Sequence, residues 1–404
     1  MSRPVVIASM MREHGETGVQ THVRAVRDWL ARAGRPVRLV TPFSAPRWQV
    51  YPVFGARRLI DRVHKPSSVW WYRHWHAVFL RRALRRLLAD GAACVVYAQC
   101  PLAADAALRA RSGPQQRVVL VVHFNLSQAQ EWVDKGAIAP NGASFRFIQA
   151  FEAATLPRLD ALVYVSDFMR RALERRIPAL ADVPSRVIPN FIDDPGEPVP
   201  VGPQADLITV GTLEQRKNQR YALQIVHAAR QLGRELTLTV IGDGPDRAAL
   251  EAEARRLGIG AQVRFAGFVA NAADRMPGHR ACLHMARLEN LPIALIEALS
   301  RGLPVFAPAV GGIPEVFDDG CEGRLIPLDD APAAARILID CLDSPTFMAH
   351  ARPAARERFL RRFNAARVAA QLTDFLQMDD YRAPRPAEPG PAPDPLCRTA
   401  RAQP

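Results

Sequence analysis

Two glutamates spaced eight residues apart, Glu289 and Glu297, flank the predicted start of a helix in the second half of the chain. Pro292 suits the first position of that helix, because the N–H group that proline lacks would have no partner there. The free N–H groups of Ile293 and Ala294 would then attract an anion, usually a phosphate. A phosphate pocket beside carboxylates that accept hydrogen bonds from sugar hydroxyls indicates a nucleotide-sugar site. An ordinary strand–helix–strand unit with surface acids is an equally good interpretation of this stretch alone.

The residues that follow Glu297 extend the pattern. Gly302 is predicted to end the helix, residues 304–310 form a short apolar run typical of a buried strand, and a second helix is predicted to open near Ile313. Two helix starts would then lie on the same side of a sheet and add to its attraction for an anion.

Arg216 and Lys217 follow a predicted strand over residues 207–210 and the turn at Gly211. Two adjacent cations ahead of a helix can neutralise a diphosphate, although most such pairs are solvated loop charges. Lys217 is one of only three lysines among the 53 basic residues. The sequence contains no Asp-x-Asp pair and no cluster with metal spacing. We therefore expect arginine, lysine and helix starts to stabilise a leaving diphosphate without a divalent ion.

The first half begins with a predicted strand over residues 4–9, a loop that contains Gly15 and Gly18, and a helix. The two glycines would let backbone N–H groups approach an anion, although a simple tight turn is the better interpretation of these residues alone. His123 follows a predicted central strand over residues 117–122. Ligand groups of α/β proteins lie at the carboxyl ends of strands, so a functional role and a structural role for His123 weigh about equally.

Strands and helices alternate through both halves of the chain, which predicts two doubly wound, Rossmann-like parallel-sheet domains facing a central cleft. We expect a first domain over residues 1–192, a Pro- and Gly-rich linker over 193–205 and a second domain over 206–365. A helix over 366–382 is predicted to return to the first domain, and residues 383–404 form a Pro-rich tail that we expect to be disordered.

The net charge of +13 is unevenly distributed along the chain. Lys and Arg outnumber Asp and Glu by 28 to 15 in residues 1–195, and each class numbers 25 in the remainder. Residues 42–69 are predicted to be a long loop, followed by a helix over 70–88 in which aromatic side chains precede arginines. These are Trp70, Trp71, Tyr72, Trp75 and Phe79, then Arg81, Arg82, Arg85 and Arg86. The combination suits an anionic membrane surface, whereas burial of the aromatic face would be the ordinary alternative.

Other features limit the location of the protein. No apolar run reaches the roughly 20 residues of a membrane helix, and the N-terminus lacks the layout of a signal peptide. The six cysteines show no zinc-ligand spacing, and we expect them to be reduced thiols. The prediction is a cytoplasmic protein, peripheral on the inner face of the cytoplasmic membrane.

These motifs together resemble the retaining glycosyltransferases of family 4, which have the GT-B fold. The resemblance covers the chain to about residue 378. It rests on the glycine loop at 15–22, His123, VIPNFID at 187–193, VGTLEQRKNQ at 210–219, IGDGP at 241–245 and the E-x7-E pattern of Glu289 and Glu297. The chain departs from the common family pattern at Thr17-Gly18, where many members have Gly-Gly, and at Asn290-Leu291-Pro292, where Gly-Phe-Gly is common. Pro292 has no N–H, so one backbone contact there is lost or displaced.

The resemblance implies a role for each candidate residue. Donor contacts fall on Gly18, Gly211, Arg216 and Lys217 for the diphosphate, Leu291 and Ile293 for the sugar and phosphate, and Glu297 for the ribose. Glu289 would hold the sugar hydroxyls, and His123 would lie beside the anomeric carbon and the acceptor. In this family, the leaving phosphate is thought to deprotonate the acceptor on the same face of the sugar.

The predicted function is transfer of a hexose-type sugar from a UDP- or GDP-sugar, with retention and without a cofactor or metal, to a saccharide or polyprenyl-diphosphate-linked acceptor. A pathway of cell-surface or exopolysaccharide biosynthesis is the expected setting. A sugar-nucleotide epimerase on the same fold, which needs no acceptor, remains an alternative. A basic nucleic-acid-binding protein is the alternative from another class. The excess of positive charge lies in one half of the chain only, and the sequence contains no recognised nucleic-acid-binding module. Both observations argue against this alternative, so no nucleic-acid partner is expected.

Overall fold

Parallel strands alternate with helices throughout the computed structural model, which describes residues 3–13, 15, 17–197, 202, 204–378 and 381. The described residues divide into two units, one formed by the chain up to Asn190 and again from Val368, and one formed by Phe191–Arg367. Each unit contains its own six-stranded sheet. The prediction of two doubly wound parallel sheets is confirmed.

The sheet of the first unit has the strand order β2-β1-β3-β4-β5-β6, and all its strand pairs are parallel. Its strands are β1 Val5–Ala8, β2 Val37–Val40, β3 Cys94–Ala98, β4 Gln116–Val122, β5 Ala161–Tyr164 and β6 Ser185–Val187. The central strands β3 and β4 are mostly Val, Leu and Ala, and every residue of the two strands except Arg117 is buried. Such continuous apolar runs belong to parallel strands that are covered on both faces.

Helices connect these strands and cover the sheet. They are α1 Gly18–Arg32, α2 Arg47–Val63, α3 Lys65–Leu87, α4 Pro101–Leu108, α5 Gln128–Asp134, α6 Ala143–Thr155 and α7 Asp167–Arg176. The late helix α13, Ala365–Gln377, contributes to this unit from Val368 onwards.

The sheet of the second unit has the order β12-β11-β10-β7-β8-β9, again with parallel pairs. Its strands are β7 Ala205–Val210, β8 Leu238–Ile241, β9 Val263–Gly267, β10 His279–Leu283, β11 Val305–Ala307 and β12 Gly323–Leu325. Its helices are α8 Gln219–Gln231, α9 Arg247–Arg256, α10 Ile293–Ser300, α11 Ala331–Leu342 and α12 Pro345–Arg362. The strand order places β7 and β10, which are far apart in sequence, side by side.

The prediction of a loop over residues 42–69 is wrong, because this stretch forms α2 and the start of α3. Apart from Val50, no residue of α2 is buried. Contacts with α3 hold it in place: Trp71 Nε1 donates to the carbonyl of Val53 at 2.8 Å, and the Phe54 ring stacks on His76 at 4.0 Å.

Two details of the predicted phosphate pocket also change. The second helix near Ile313 is a single 3-10 turn, Ile313–Glu315, that follows Gly311 in a left-handed conformation. Pro292 caps α10 from outside instead of occupying its first position, because its ψ of 120° is extended. Of the two helix starts predicted for this pocket, only that of α10 belongs to a full helix.

One cysteine differs from the sequence prediction. Cys94, Cys100, Cys282 and Cys341 are free, but Cys321 is disulfide-bonded, so the prediction of six reduced thiols is wrong for that residue. The predicted tail over 383–404 and part of the predicted linker lie outside the described residues. Within the described ranges, no helix combines the length and the apolar character that crossing a bilayer requires.

Candidate active site

Loops that follow neighbouring strands of the second unit meet at the carboxyl edge of its sheet. Arg216 and Lys217 lie in a 3-10 turn between β7 and α8, and Glu289 lies between β10 and α10. Because β7 and β10 are hydrogen-bonded neighbours, residues 72 positions apart come into contact. A ligand-binding crevice in a sheet of this type lies at this edge.

Glu289 is the centre of this cluster and is only 6% exposed. Lys217 Nζ donates to Glu289 Oε1, and Arg216 Nη1 lies 3.5 Å from Oε2. Arg216 also pairs with Glu214 at 2.8 Å and donates to the carbonyl of Leu288 at 3.4 Å. The Glu289 carboxylate thus holds both predicted cations of the site in fixed positions.

His284 completes the cluster, with its Nε2 atom 3.4 Å from Glu289 Oε1. Burial favours the protonated acid of Glu289, but Lys217, His284 and Arg216 outweigh burial and hold its pKa well below its usual range. Burial also lowers the pKa of His284, against the opposing influence of Glu289. The cluster therefore contains two cations, Arg216 and Lys217, two carboxylates, Glu289 and Glu214, and at neutral pH one neutral imidazole, that of His284.

Backbone contacts between glycines and neighbouring loops hold these side chains in place. Gly312 N donates to the Glu289 carbonyl at 2.9 Å, and a Cβ atom on Gly311 would lie 1.9 Å from the same oxygen. In the adjoining loops, a Cβ atom on Gly242 would lie 1.9 Å from the Gly211 carbonyl oxygen. Both glycines have positive φ, 60° at Gly311 and 137° at Gly242, so glycine is needed for conformation and for space.

The remaining predicted donor residues of the second unit lie close by in the chain. Leu291 is buried ahead of the Pro292 cap, and Ile293 is the first residue of α10, where backbone N–H groups have no acceptor within the helix. Glu297 is half-buried in the second turn of α10. Burial, and then the charge of Glu297, raise the pKa of the Cys282 thiol in β10 to about 12. Gly211 packs close to the Lys217 stem, because an added Cβ would lie 4.0 Å from it.

In the first unit, His123 follows β4 at the carboxyl edge of the sheet, as predicted. Its Nε2 atom lies 3.2 Å from Gln99 Oε1, a residue that follows the neighbouring strand β3. The His22 ring of α1 meets the His123 ring edge-on, with centroids 4.5 Å apart. His22 Nε2 in turn lies 3.1 Å from the Tyr97 hydroxyl.

Both imidazoles are neutral at physiological pH. Burial lowers the pKa of His22 to about 3, although a hydrogen bond with Asn190 opposes the shift. Burial, and then the proximity of His22, lower the pKa of His123 well below 6.5. A neutral His123 can donate or accept a hydrogen bond, but it does not supply a positive charge to a transition state.

Gly18 is the first residue of α1, and Thr17 caps that helix. The Thr17 hydroxyl accepts from Gln20 N at 3.4 Å, and the Gln20 amide donates to the carbonyl of Arg12 at 2.8 Å. The loop between β1 and α1 is thus tied to the first turn of the helix, and Gly18 presents its backbone at the helix start.

The structure therefore brings Arg216, Lys217 and Glu289 into contact, and it places Gly18 and His123 in the other unit. Sequence reasoning missed His284, although His284 directly follows β10 just as His123 directly follows β4. It also missed the partners of His123 that are described above, because strand order was unknown. Within the described part of the chain, no group of three or more His, Cys, Asp or Glu is arranged to hold a metal ion.

Two family models match the chain in succession. The model described as Glycosyltransferase Family 4 matches residues 17–194, and the model described as Glycosyl transferases group 1 matches residues 193–358. The two matches meet at the boundary between the two halves, and the second contains the whole Arg216–Lys217–Glu289 cluster.

Curated relatives are similar over part of their length. A 2-deoxystreptamine glucosyltransferase of Streptomyces kanamyceticus is 31% identical over 34% of this chain and 36% of its own. A GDP-mannose-dependent α-(1-6)-phosphatidylinositol monomannoside mannosyltransferase of Mycobacterium tuberculosis is 29% identical over 45% of this chain and 49% of its own. The matched stretches thus span about a third to a half of these relatives.

Solved structures agree over most of the fold. HepE of Anabaena, in complex with UDP, superposes with a TM-score of 0.64 at 16% identity, covering 92% of this chain and 99% of HepE. WaaG, a glycosyltransferase involved in lipopolysaccharide biosynthesis, superposes with a TM-score of 0.66 at 16% identity, over 92% of this chain and 99% of WaaG. With both family models matched and the sheet architecture shared, the chain belongs to the family 4 glycosyltransferases of the GT-B fold.

Proposed function

We propose that the protein is a retaining glycosyltransferase that moves a sugar from a nucleoside-diphosphate sugar to a saccharide or lipid-linked saccharide acceptor in cell-surface or exopolysaccharide biosynthesis. The observation that carries the proposal is the contact of Lys217 and Arg216 with Glu289 at the carboxyl edge of the second sheet. Similar proteins support the donor class, since HepE forms a complex with UDP and the mycobacterial mannosyltransferase is GDP-mannose-dependent.

In this proposal, Arg216 and Lys217 stabilise the donor diphosphate. Their side chains lie together at the carboxyl edge of the sheet, where both can donate hydrogen bonds to phosphate oxygens. Because the pKa of Glu289 lies well below its usual range, its ionised carboxylate accepts hydrogen bonds from sugar hydroxyls. The start of α10 at Ile293, with Leu291 before it, adds backbone N–H groups, Glu297 contacts the ribose, and Gly211 and Gly18 supply backbone contacts.

The reaction assigned to this site replaces one bond to the anomeric carbon with another. The bond from the anomeric carbon to the phosphate oxygen breaks, and a bond to the acceptor oxygen forms on the same face of the sugar. The acceptor hydroxyl proton passes to the leaving phosphate oxygen. Arg216 and Lys217 stabilise the charge on the departing diphosphate, so the reaction needs no metal, and neutral His123 orients the sugar or the acceptor by hydrogen bonding.

The experiment combines a donor panel with a product analysis. Purified protein is offered UDP- and GDP-sugars with and without saccharide acceptors, and release of nucleoside diphosphate is followed together with the anomeric configuration of the product by NMR. Transfer with the anomeric configuration of the donor is expected. Conversion of a nucleotide sugar to its epimer without an acceptor would contradict the proposal, as would an inverted product.

We also propose that the first unit binds an anionic membrane surface. In this proposal the binding helix is α2 and not α3, which contains the predicted aromatic stretch. In the predicted aromatic stretch Phe79 is buried and Trp70 is exposed. On α2, by contrast, four large apolar side chains are between 49% and 88% exposed: Trp48, Tyr51, Leu59 and Val63. They recur at helical spacing along one face and have arginines beside them, which is the pattern of a helix lying in a membrane interface.

Vesicle sedimentation tests the membrane proposal. Each basic residue near an anionic surface contributes about 1 kcal/mol, so binding should require anionic lipid and weaken with salt. Replacement of Trp48 and Leu59 by Ser is expected to abolish it, whereas replacement of the exposed Leu232 of the second unit by Ser should not. Equal sedimentation with neutral and anionic vesicles would rule the proposal out.

A further inference from the structure

A groove on the first unit runs between α3 and α6, with α4 as its floor, and encloses about 500 Å³. Its walls are largely apolar. Trp70 of α3 and Phe147 of α6 line it and are 57% and 62% exposed. None of the candidate donor or acceptor residues lines the groove, and no residue of α2 does. Exposed aromatic side chains around an apolar groove are typical of a site for an apolar ligand.

Two charged side chains, Arg73 and Asp105, are buried in this largely apolar lining. Arg73 lines the groove but is only 8% exposed. Its guanidinium lies over the Phe151 ring, 5.0 Å from the ring centroid, and its Nη1 atom donates to Gln128 Oε1 at 3.4 Å. Burial lowers the pKa of Arg73, which shows how poorly the surroundings solvate its charge.

The carboxylates closest to Arg73 have other partners. Glu152 pairs with Arg176 at 2.7 Å, and Asp105 pairs with Arg109 at 2.7 Å. Among the residues that the structure describes, no carboxylate forms an ion pair with Arg73. A buried guanidinium is normally paired because an unpaired buried charge is costly. Arg73 therefore has the character of a group that meets an anion from outside the chain.

Charge and shape together define the ligand. Arg81 and Arg109 also line the groove, and Asp105 is the lone acid among its lining residues. We propose that the groove binds a lipid phosphate: the hydrocarbon chain lies along the apolar walls between Trp70 and Phe147, and the phosphate is held by Arg73. Guanidinium binds phosphate through two parallel hydrogen bonds, which suits the planar Arg73 group in a site of low polarity.

Calorimetry on the full-length protein with dodecyl phosphate, used below its micelle concentration and without nucleotide sugar, tests this directly. Dodecyl maltoside lacks the phosphate and inorganic phosphate lacks the chain, and each is expected to bind at least tenfold more weakly. Shortening the chain from twelve to ten carbons should weaken binding about tenfold, because each buried methylene contributes. Equal affinity for dodecyl maltoside, or for inorganic phosphate, would overturn the proposal.

Two substitutions locate the site. Arg73→Met is expected to weaken binding of dodecyl phosphate about 10- to 100-fold, the effect of losing a charge-assisted hydrogen bond. Arg82→Met is the matched control, since Arg82 is an exposed arginine of the same helix that does not line the groove. Unchanged affinity in Arg73→Met, or an equal loss in Arg82→Met, would refute the assignment.

The folded state of the variants is checked separately. Because Arg73 lacks a carboxylate partner, Arg73→Met should unfold at the same temperature as the natural protein or at a higher one. Ala77→Phe, which narrows the groove from α3, is expected to abolish binding while Arg73 stays in place. Retained binding in a folded Ala77→Phe protein would place the ligand elsewhere. Because no donor is present in these assays, they do not depend on the proposed transfer reaction.

Discussion

Replacement of Lys217 by alanine removes one of the two cations that contact Glu289. At the transition state the diphosphate departs with its charge, and loss of one preorganised contact to such a charge costs about 3–4 kcal/mol, or roughly 10²–10³ in kcat. The Lys217 side chain is 19% exposed, so water can replace little of the electrostatic stabilisation that Lys217 provides. Arg216, 3.5 Å from Glu289, remains in place and prevents complete loss of activity.

The effect on folding should be smaller than the effect on rate. The substitution removes a charge-assisted hydrogen bond of about 1.5–3 kcal/mol, but Arg216 and His284 still contact the buried carboxylate. The assay is steady-state release of nucleoside diphosphate in the presence of acceptor, with thermal unfolding measured on the same preparation. Arg220→Ala, an exposed cation in the first turn of α8, is the control and should change kcat less than about threefold.

Two results would refute this reasoning. Near-normal turnover of Lys217→Ala would show that the cluster does not stabilise the leaving group. A large loss of kcat that Arg220→Ala reproduces would show that the effect is general electrostatics and not the contact with Glu289. A loss in Lys217→Ala with an unchanged unfolding temperature is the expected result.

Four further predictions concern pH, backbone and metal. The pKa of Glu289 lies below its ordinary value of 4.5, so its ionised carboxylate stabilises the fold fully above pH 4.5, and this contribution is lost as the pH falls below that value. In an acid titration, the free energy of unfolding of Glu289→Gln should therefore differ from that of the natural protein mainly above pH 4.5. Burial lowers the pKa of His22 from 6.5 to about 3, so on acidification the imidazole is protonated in the unfolded protein at a higher pH than in the folded one. The free energy of unfolding therefore falls by up to about 1.4 kcal/mol per pH unit below pH 6.5. Denaturant titrations of His22→Gln should show a shallower pH dependence. Gly242→Ala should lower the free energy of unfolding by about 1–3 kcal/mol or more, since its Cβ would meet the Gly211 carbonyl, and an unchanged urea midpoint would contradict the packing described. Transfer should survive EDTA, and loss of activity that Mg²⁺ or Mn²⁺ restores would overturn the proposed stabilisation by cations.

The sequence was sufficient to predict the alternation of strands and helices and most of the second unit's candidate residues. Arg216 and Lys217 follow one strand and Glu289 follows another, so each was placed at the carboxyl edge from local pattern alone. Their contact depends on β7 lying next to β10, and no local pattern contains that order. His284 was missed for the same reason, since it matters only because Glu289 lies 3.4 Å away.

The failures have physical causes as well. Helix α2 was predicted as loop because the stretch contains Pro52 and several arginines, although its exposed apolar residues recur at helical spacing. One 3-10 turn stands where a helix was predicted at Ile313. The chain turns at the preceding glycines, where Gly312 N donates a hydrogen bond to the carbonyl of Glu289. In both cases contacts that are distant in sequence outweighed local preference.

The main-chain contacts around Gly211, Gly242 and Gly311 bear on how this enzyme would be re-engineered. Since the loops are located by backbone atoms, the exposed side chain of Thr212 can be exchanged without disturbing the frame. A saturation library aimed at a different donor sugar belongs at that position. The glycines should be kept fixed, because variants there would be lost to misfolding before any new specificity was seen.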